Sequence, residues 1–343
     1  MFLTRFTRLF AYGSLSLVLV FYLTGLGLSE AQTGALFTLT LLGDTAVSLY
    51  LTTRADRFGR RRMLVIGAAL MAAAGLAFAA TSNLWFLLLA GTIGVVSPSG
   101  HEVGPFLPIE QAALSEIVPQ RARTEVFAWY ALAGSLATAL GSLGGGALTG
   151  ALQKSAAATP VESYRAVVLL YTALGVLLAF FFARVSSAVE VPAPEAGAGA
   201  PAGMKSFLGV GASRNVVLKL SGLFALDSFS GGFVVQSFAV YWFYLRFGAS
   251  PASLGAIFFW ANLCAGVSAL LASRLAARFG LIRTMVFTHL PSNLLLILLP
   301  LMPSLPLAVA VLLLRFSISQ MDVPTRQSYT MAVVRPEERS AAA

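Results

Sequence analysis

Ten apolar runs, separated by short polar gaps, fill this chain and leave almost no other fold open to it. They lie at 9–27, 31–53, 63–80, 84–118, 126–152, 166–183, 220–245, 252–273, 284–301 and 307–334. A hydrocarbon core about 30 Å thick takes roughly 20 apolar residues per helix. Inside lipid no water satisfies a bare peptide group, so runs of this length must close their own hydrogen bonds as helices. The expected fold is all-α and polytopic. Composition agrees: 57% of residues are hydrophobic and 11% charged, against about 25% charged in a soluble domain. Arg5 and Arg8 before an apolar stretch imitate a secretory leader, but 9–28 is long enough to span and no small-residue cleavage site closes it.

The net charge of +9 would suggest nucleic acid on a soluble surface; here the cations crowd the gaps between apolar runs, so no nucleic-acid partner is expected. If the N-terminus is cytoplasmic, 18 Lys and Arg fall on that side, among them Arg5, Arg8, Arg54, Arg57, Arg60, Arg61, Arg62, Arg184 and Arg283. Only Lys154, Arg165 and Arg246 fall opposite. Such a bias places the N-terminus in the cytoplasm and the chain in the plasma (inner) membrane. The single cysteine, Cys264, sits in an apolar run, which gives no disulfide framework and no thiolate cluster. No P-loop, Gly-x-Ser-x-Gly or His-Glu-x-x-His pattern occurs, so neither ATP use nor intramembrane hydrolysis is expected, and no cofactor or metal.

An internal repeat sets the organisation. At a shift of 221 residues, 27–62 lies over 248–283 without gaps and 13 of 36 positions are identical, including Gly34 with Gly255 and Arg57-Phe58-Gly59 with Arg278-Phe279-Gly280. At a shift of 216, Pro108, Gln111, Val118 and Arg123 fall on Pro324, Gln327, Val334 and Arg339. Repeats at half-protein distance imply two six-helix bundles around a shared axis. The Pro-, Ala- and Gly-rich stretch 191–203 reads as a flexible connector. The division expected is therefore a first bundle over 1–185, a cytoplasmic linker over 186–215 and helices seven to ten of a second bundle over 216–343. On this plan the second bundle lacks two spans, and a longer intact chain of about 12 helices is expected.

The loop after the second run reads Asp56-Arg57-Phe58-Gly59-Arg60-Arg61-Arg62. It resembles the signature of the major facilitator superfamily, G-x-x-x-D-R-x-G-R-R-[KR], with Thr52 where the pattern has its first glycine. The resemblance implies a cytoplasmic gate carried by Asp56, Arg57, Gly59, Arg60 and Arg61, in which a carboxylate at a helix end latches to a neighbouring helix N-terminus or guanidinium. Gly141-Ser142-Leu143-Gly144-Gly145-Gly146 resembles the G-P-x-x-G-G motif of the family's antiporters, with Ser142 in place of proline. Gly141, Gly145 and Gly146 equally suit plain close packing of helices.

A charge at bilayer depth is expensive unless paired or wetted, so ionisable residues inside the runs are functional candidates. They are Asp44, Glu102, Glu110, Asp227, Arg315, Asp322 and Arg326. Under the 216 shift Glu110 falls on Arg326, which allows a pair across a central cavity, while Asp322 and Arg326, four apart, allow a competing pair along one helix. Asp44 and Asp227 are lone carboxylates in apolar helices, suited to carrying a proton. His101 and Glu102 lie in Ser-Pro-Ser-Gly-His-Glu-Val-Gly-Pro, which predicts a local helix break rather than a metal site. The whole reads as a monomeric secondary transporter of bacterial drug or solute efflux type, exchanging a small organic solute for protons. A symporter or uniporter of the same fold, or a non-transporting membrane receptor, is the alternative.

Overall fold

In the computed structural model the described residues are 1–119, 123–155, 158–186, 189–190, 214–231 and 234–333, and all regular structure among them is helical. The connector at 191–203 lies outside them. Seven helices are long and apolar enough to cross a membrane: α1 (Phe2–Gly25), α2 (Glu30–Phe58), α3 (Arg60–Ala80), α6 (Arg123–Lys154), α7 (Pro160–Ala183), α10 (Pro251–Phe279) and α11 (Leu281–Leu298). The other three expected spans each arrive in two pieces. These are α4 (Leu84–Ile93) with α5 (Phe106–Ile117), α8 (Arg214–Gly231) with α9 (Gln236–Phe247), and α12 (Leu305–Ser319) with α13 (Asp322–Val333). Spans four and ten are thus interrupted among the described residues, while residues 232–233, between α8 and α9, lie outside them.

Local chemistry explains the ends. Ser29 and Gln32 form a reciprocal capping box at the start of α2, and Thr159 with Glu162 does the same for α7, where Pro160 supplies the first helical residue. The repeat is written into the backbone as well. Gly59 and Gly280, equivalent under the 221 shift, hold φ of 101° and 86° and open α3 and α11. A side chain is disfavoured in that left-handed region, which is why glycine occupies both joints.

By contact the chain divides into two compact units, Met1–Val191 with Gln236–Leu263, and Pro192–Val235 with Cys264–Ala343. The line drawn from the repeat differs: α9 and the first half of α10 keep company with the first six spans. In the first unit α1 is the buried axis, packed on α6, α7 and α9, while α3 packs on α7 and α2 on α4. The glycine motif of α6 makes one close seam, and Gly43 of α2 against the Thr92 carbonyl of α4 another. A Cβ on Gly145 would stand 2.9 Å from the Ser14 carbonyl oxygen, and one on Gly146 2.6 Å from that of Pro251. Gly141 meets the Phe10 carbonyl closer still. In the second unit α11 packs on α12 and α13, and α13 touches α8. Phe287 on α11, 73% exposed, faces the outside of this unit, where lipid rather than water is the natural solvent.

Candidate functional site

The ionisable residues singled out from the sequence gather in two clusters, one in each unit. In the first, Arg8 of α1 donates through Nε to Glu102 Oε1 at 2.6 Å and through Nη2 to Glu110 Oε2 at 2.9 Å. Arg5, one turn earlier, lies 3.1 Å from Glu102 Oε2. Glu110 also accepts from Thr4 Oγ1 at 2.5 Å and from the Tyr130 hydroxyl. The Arg5 guanidinium stacks 4.3 Å above the Tyr130 ring, and Arg8 4.7 Å above Phe106. The Arg8 and Glu110 side chains are wholly shielded from solvent. Desolvating each ion costs several kcal/mol, which only the pair together with these extra bonds offsets.

Glu102 belongs to the break in span four, and the break is held by side chains from around it. The Val95 carbonyl accepts from the Tyr171 hydroxyl, that of Pro98 from Ser237 Oγ at 2.7 Å, that of His101 from Ser97 Oγ at 2.7 Å, and those of Gly100 and Val103 from Thr138 and Tyr12 at 3.4 Å. Unwound backbone is tolerated inside a membrane only under such conditions. Asp44 of α2 turns its carboxylate toward the Gly104 N–H, and its Oδ1 is buried without a hydrogen-bond partner among the described residues. Next to the break, Gln236 at the start of α9 donates to Ser16 Oγ at 2.9 Å and Ser142 Oγ at 3.3 Å, and accepts from Asn262 at 3.1 Å.

In the second unit, His289 of α11 stands between two carboxylates, with Nε2 3.1 Å from Asp227 Oδ1 and Nδ1 3.3 Å from Asp322 Oδ2. Arg326 reaches both carboxylates as well, lying 3.1 Å from Asp227 Oδ2 and closing the expected helical pair with Asp322 one turn before it. Its guanidinium also stacks on Phe224 at 5.0 Å. Counted over these contacts, the two carboxylates, one guanidinium and one imidazole balance when the imidazole or one carboxylate carries an additional proton. Asp227 and His289 are about one-third exposed, 33% and 34%, unlike the fully buried Arg8 and Glu110.

Five of the seven predicted intramembrane residues therefore enter a cluster. Within its own unit Glu110 takes a guanidinium from Arg8, and within the other Arg326 is held by Asp227 and Asp322; in each case a nearby partner offsets the desolvation penalty. Arg315 enters neither cluster; its Nε is buried without a hydrogen-bond partner among the described residues, and its guanidinium stacks on Phe316 at 5.4 Å.

Arg5, Arg8 and Tyr130 were missed because the arginines read as a cytoplasmic flank, whereas α1 begins at Phe2 and carries them inward. His289 was also missed, although the rule that exposed Asp227 applies equally to a histidine inside the run 284–301.

At the signature loop, the side chains of Asp56 and Arg57 lie outside the described residues. Gly59 leaves α3 without a side-chain cap of its own. The Glu190 carboxylate supplies one, accepting from the Arg60 N–H at 2.7 Å and the Arg61 N–H at 3.2 Å. Arg60 is buried and donates through Nη1 to the Val189 carbonyl at 3.3 Å. Arg60 and Arg61, two of the residues expected at the gate, thus hold residues 189–190.

The family model described as Major Facilitator Superfamily matches residues 1–343. A Saccharomyces cerevisiae protein described as uncharacterized membrane protein YJR124C is 32% identical over 357 residues, covering 97% of this chain and 80% of the yeast protein. A Na(+), Li(+), K(+)/H(+) antiporter of Planococcus maritimus is 29% identical over 160 residues, covering 45% of this chain and 35% of the antiporter. Among solved structures, a bacterial homolog of the human lysosomal transporter Spinster, inward-facing and unoccupied, superposes with a TM-score of 0.69 at 17% identity over 99% of this chain and 76% of that one. With a match from end to end, a signature loop at its proper joint and the superfamily's helix arrangement, the chain belongs to the major facilitator superfamily.

Proposed function

We propose that this protein is a proton-coupled secondary transporter that exports a small organic solute by alternating access, with Asp227, His289, Asp322 and Arg326 as the proton-carrying site. The observation that carries the reading is His289 held between two carboxylates that share one guanidinium, a histidine placed to take up or release a proton between them. Taking up a proton satisfies the cluster, and releasing it frees a carboxylate or an imidazole for another partner. The partial likeness to a cation/proton antiporter supports exchange. It also favours a second reading, in which the exchanged species is a monovalent cation. Asp44 and Arg315 are proposed to serve the solute pathway, since each presents a buried polar atom without a hydrogen-bond partner among the described residues.

The test uses purified protein in proteoliposomes with an internal pH dye and an imposed pH gradient. Ethidium, as a model organic cation, and sodium or potassium chloride are added separately. Proton movement on ethidium addition, lost in Asp227→Asn and His289→Gln, supports solute exchange. Proton movement with the salts alone selects the second reading. Substrate movement that ignores the pH gradient in every arm overturns proton coupling.

A further inference from the structure

We propose that the end of α3 and the end of α7 form a binding site for an anionic phospholipid. A groove of about 360 Å³ opens there, lined by Arg61, Arg62, Val65, Ile66 and Ala183. Its walls are apolar, and two of its five lining residues are arginines, a pairing that suits an amphiphile with a negative head. Charge complementarity selects the occupant. Glu190 accepts the backbone N–H groups of Arg60 and Arg61, so the helix terminus is already satisfied by a carboxylate. The side chains of Arg61 and Arg62 are exposed and form no ion pair among the described residues. Arg184, exposed and stacked on Phe180 at 4.8 Å, adds a third cation at the end of α7.

A phosphodiester bearing a net negative charge on Arg61 and Arg62 places its acyl chain along Val65, Ile66 and Ala183. The positive-inside bias assigns this end to the cytoplasmic leaflet, where basic pockets between helices meet anionic headgroups. A neutral headgroup offers the same chain but no net charge, so the site is selective. A lipid seated here stands beside the joint through which Arg60 and Glu190 hold the start of the connector.

The experiment is native mass spectrometry of the full chain in detergent, titrated with phosphatidylglycerol or phosphatidylcholine of identical chains. Phosphatidylglycerol is expected to bind roughly thirty-fold tighter, about five-fold for each guanidinium. Arg61→Gln with Arg62→Gln removes that preference, while Arg214→Gln, also exposed but on α8, keeps it. Ala183→Trp fills the apolar floor without touching a charge and weakens both lipids; it also serves if the double variant fails to fold. Equal binding of the two lipids, an unchanged preference in the arginine double variant, or displacement of phosphatidylglycerol by millimolar inorganic phosphate overturns the proposal.

Discussion

The cluster around Arg8 and the cluster around His289 contain the same chemistry in different proportions. The first sets two guanidinium groups against two carboxylates, with Arg8 and Glu110 sealed from solvent. The second sets one guanidinium and a histidine against two carboxylates, with Asp227 and His289 about one-third exposed. A balanced and dry network has no charge to exchange and serves to hold α1, α5 and the break in span four together. An unbalanced and partly exposed one is the place where, on the function proposed above, proton content changes without dismantling the fold. On that proposal, charge balance and exposure, and not intramembrane charge alone, tell a girder from a switch.

That contrast fails or sharpens first on Glu110. Glu110→Ala breaks a fully buried pair and leaves Arg5 and Arg8 with Glu102 alone, a change that costs about 3–5 kcal/mol, and should markedly lower the unfolding temperature in detergent. Asp227→Asn removes a partly exposed charge whose pair contributes on the order of 1 kcal/mol or less. It should leave the unfolding temperature almost unchanged while abolishing proton movement in proteoliposomes. The reverse pattern, a stable Glu110→Ala protein and an unfolded Asp227→Asn one, would exchange the roles assigned to the two clusters.

A finer cut comes from His289→Lys. A fixed cation between Asp227 and Asp322 neutralises the cluster permanently, so no proton is needed and none is released. Exchange of labelled for unlabelled ethidium across the membrane should persist, whereas accumulation driven by a pH gradient should vanish. Retained gradient-driven accumulation would place the coupling proton on another group, with Asp44 the first to examine. Smaller still is Tyr130→Phe, which deletes one hydrogen bond to the buried Glu110 carboxylate and should cost about 1.5–3 kcal/mol. Proton coupling should survive it intact.

The apolar runs made the spans legible because each helix must satisfy its own backbone, and the Gly59 and Gly280 joints were legible because the repeat aligned them. The break in span four was readable from Pro98, Gly100, Gly104 and Pro105. The break between α12 and α13 has no such run of turn residues before it, since Ser319-Gln320-Met321 is locally neutral. Candidate residues were found by type, as Glu110, Asp227, Asp322 and Arg326 show, but their partners depend on which helix faces which. Arg8 is 102 positions from Glu110, and His289 is 62 from Asp227. Nothing periodic in a chain connects such positions. The repeat drew Glu110 toward Arg326, and packing within each unit supplied nearer partners.

The gentlest comparison is between α3 and α11, which begin at equivalent glycines. Both lack a side-chain cap of their own, yet the first turn of α3 is capped by Glu190. Glu190→Gln keeps an acceptor and loses the charge that the helix terminus favours, an effect of about 0.3–1 kcal/mol. Its signature is local: amide hydrogen exchange at Arg60 and Arg61 should quicken by roughly two- to five-fold, while the corresponding amides of α11 stay as they are. Glu190→Ala should quicken it further, because the N–H groups then lose their acceptor altogether. Equal exchange in all three proteins would mean that Glu190 adds nothing to α3. The bond from Arg60 Nη1 to the Val189 carbonyl would then still join the signature loop to residues 189–190.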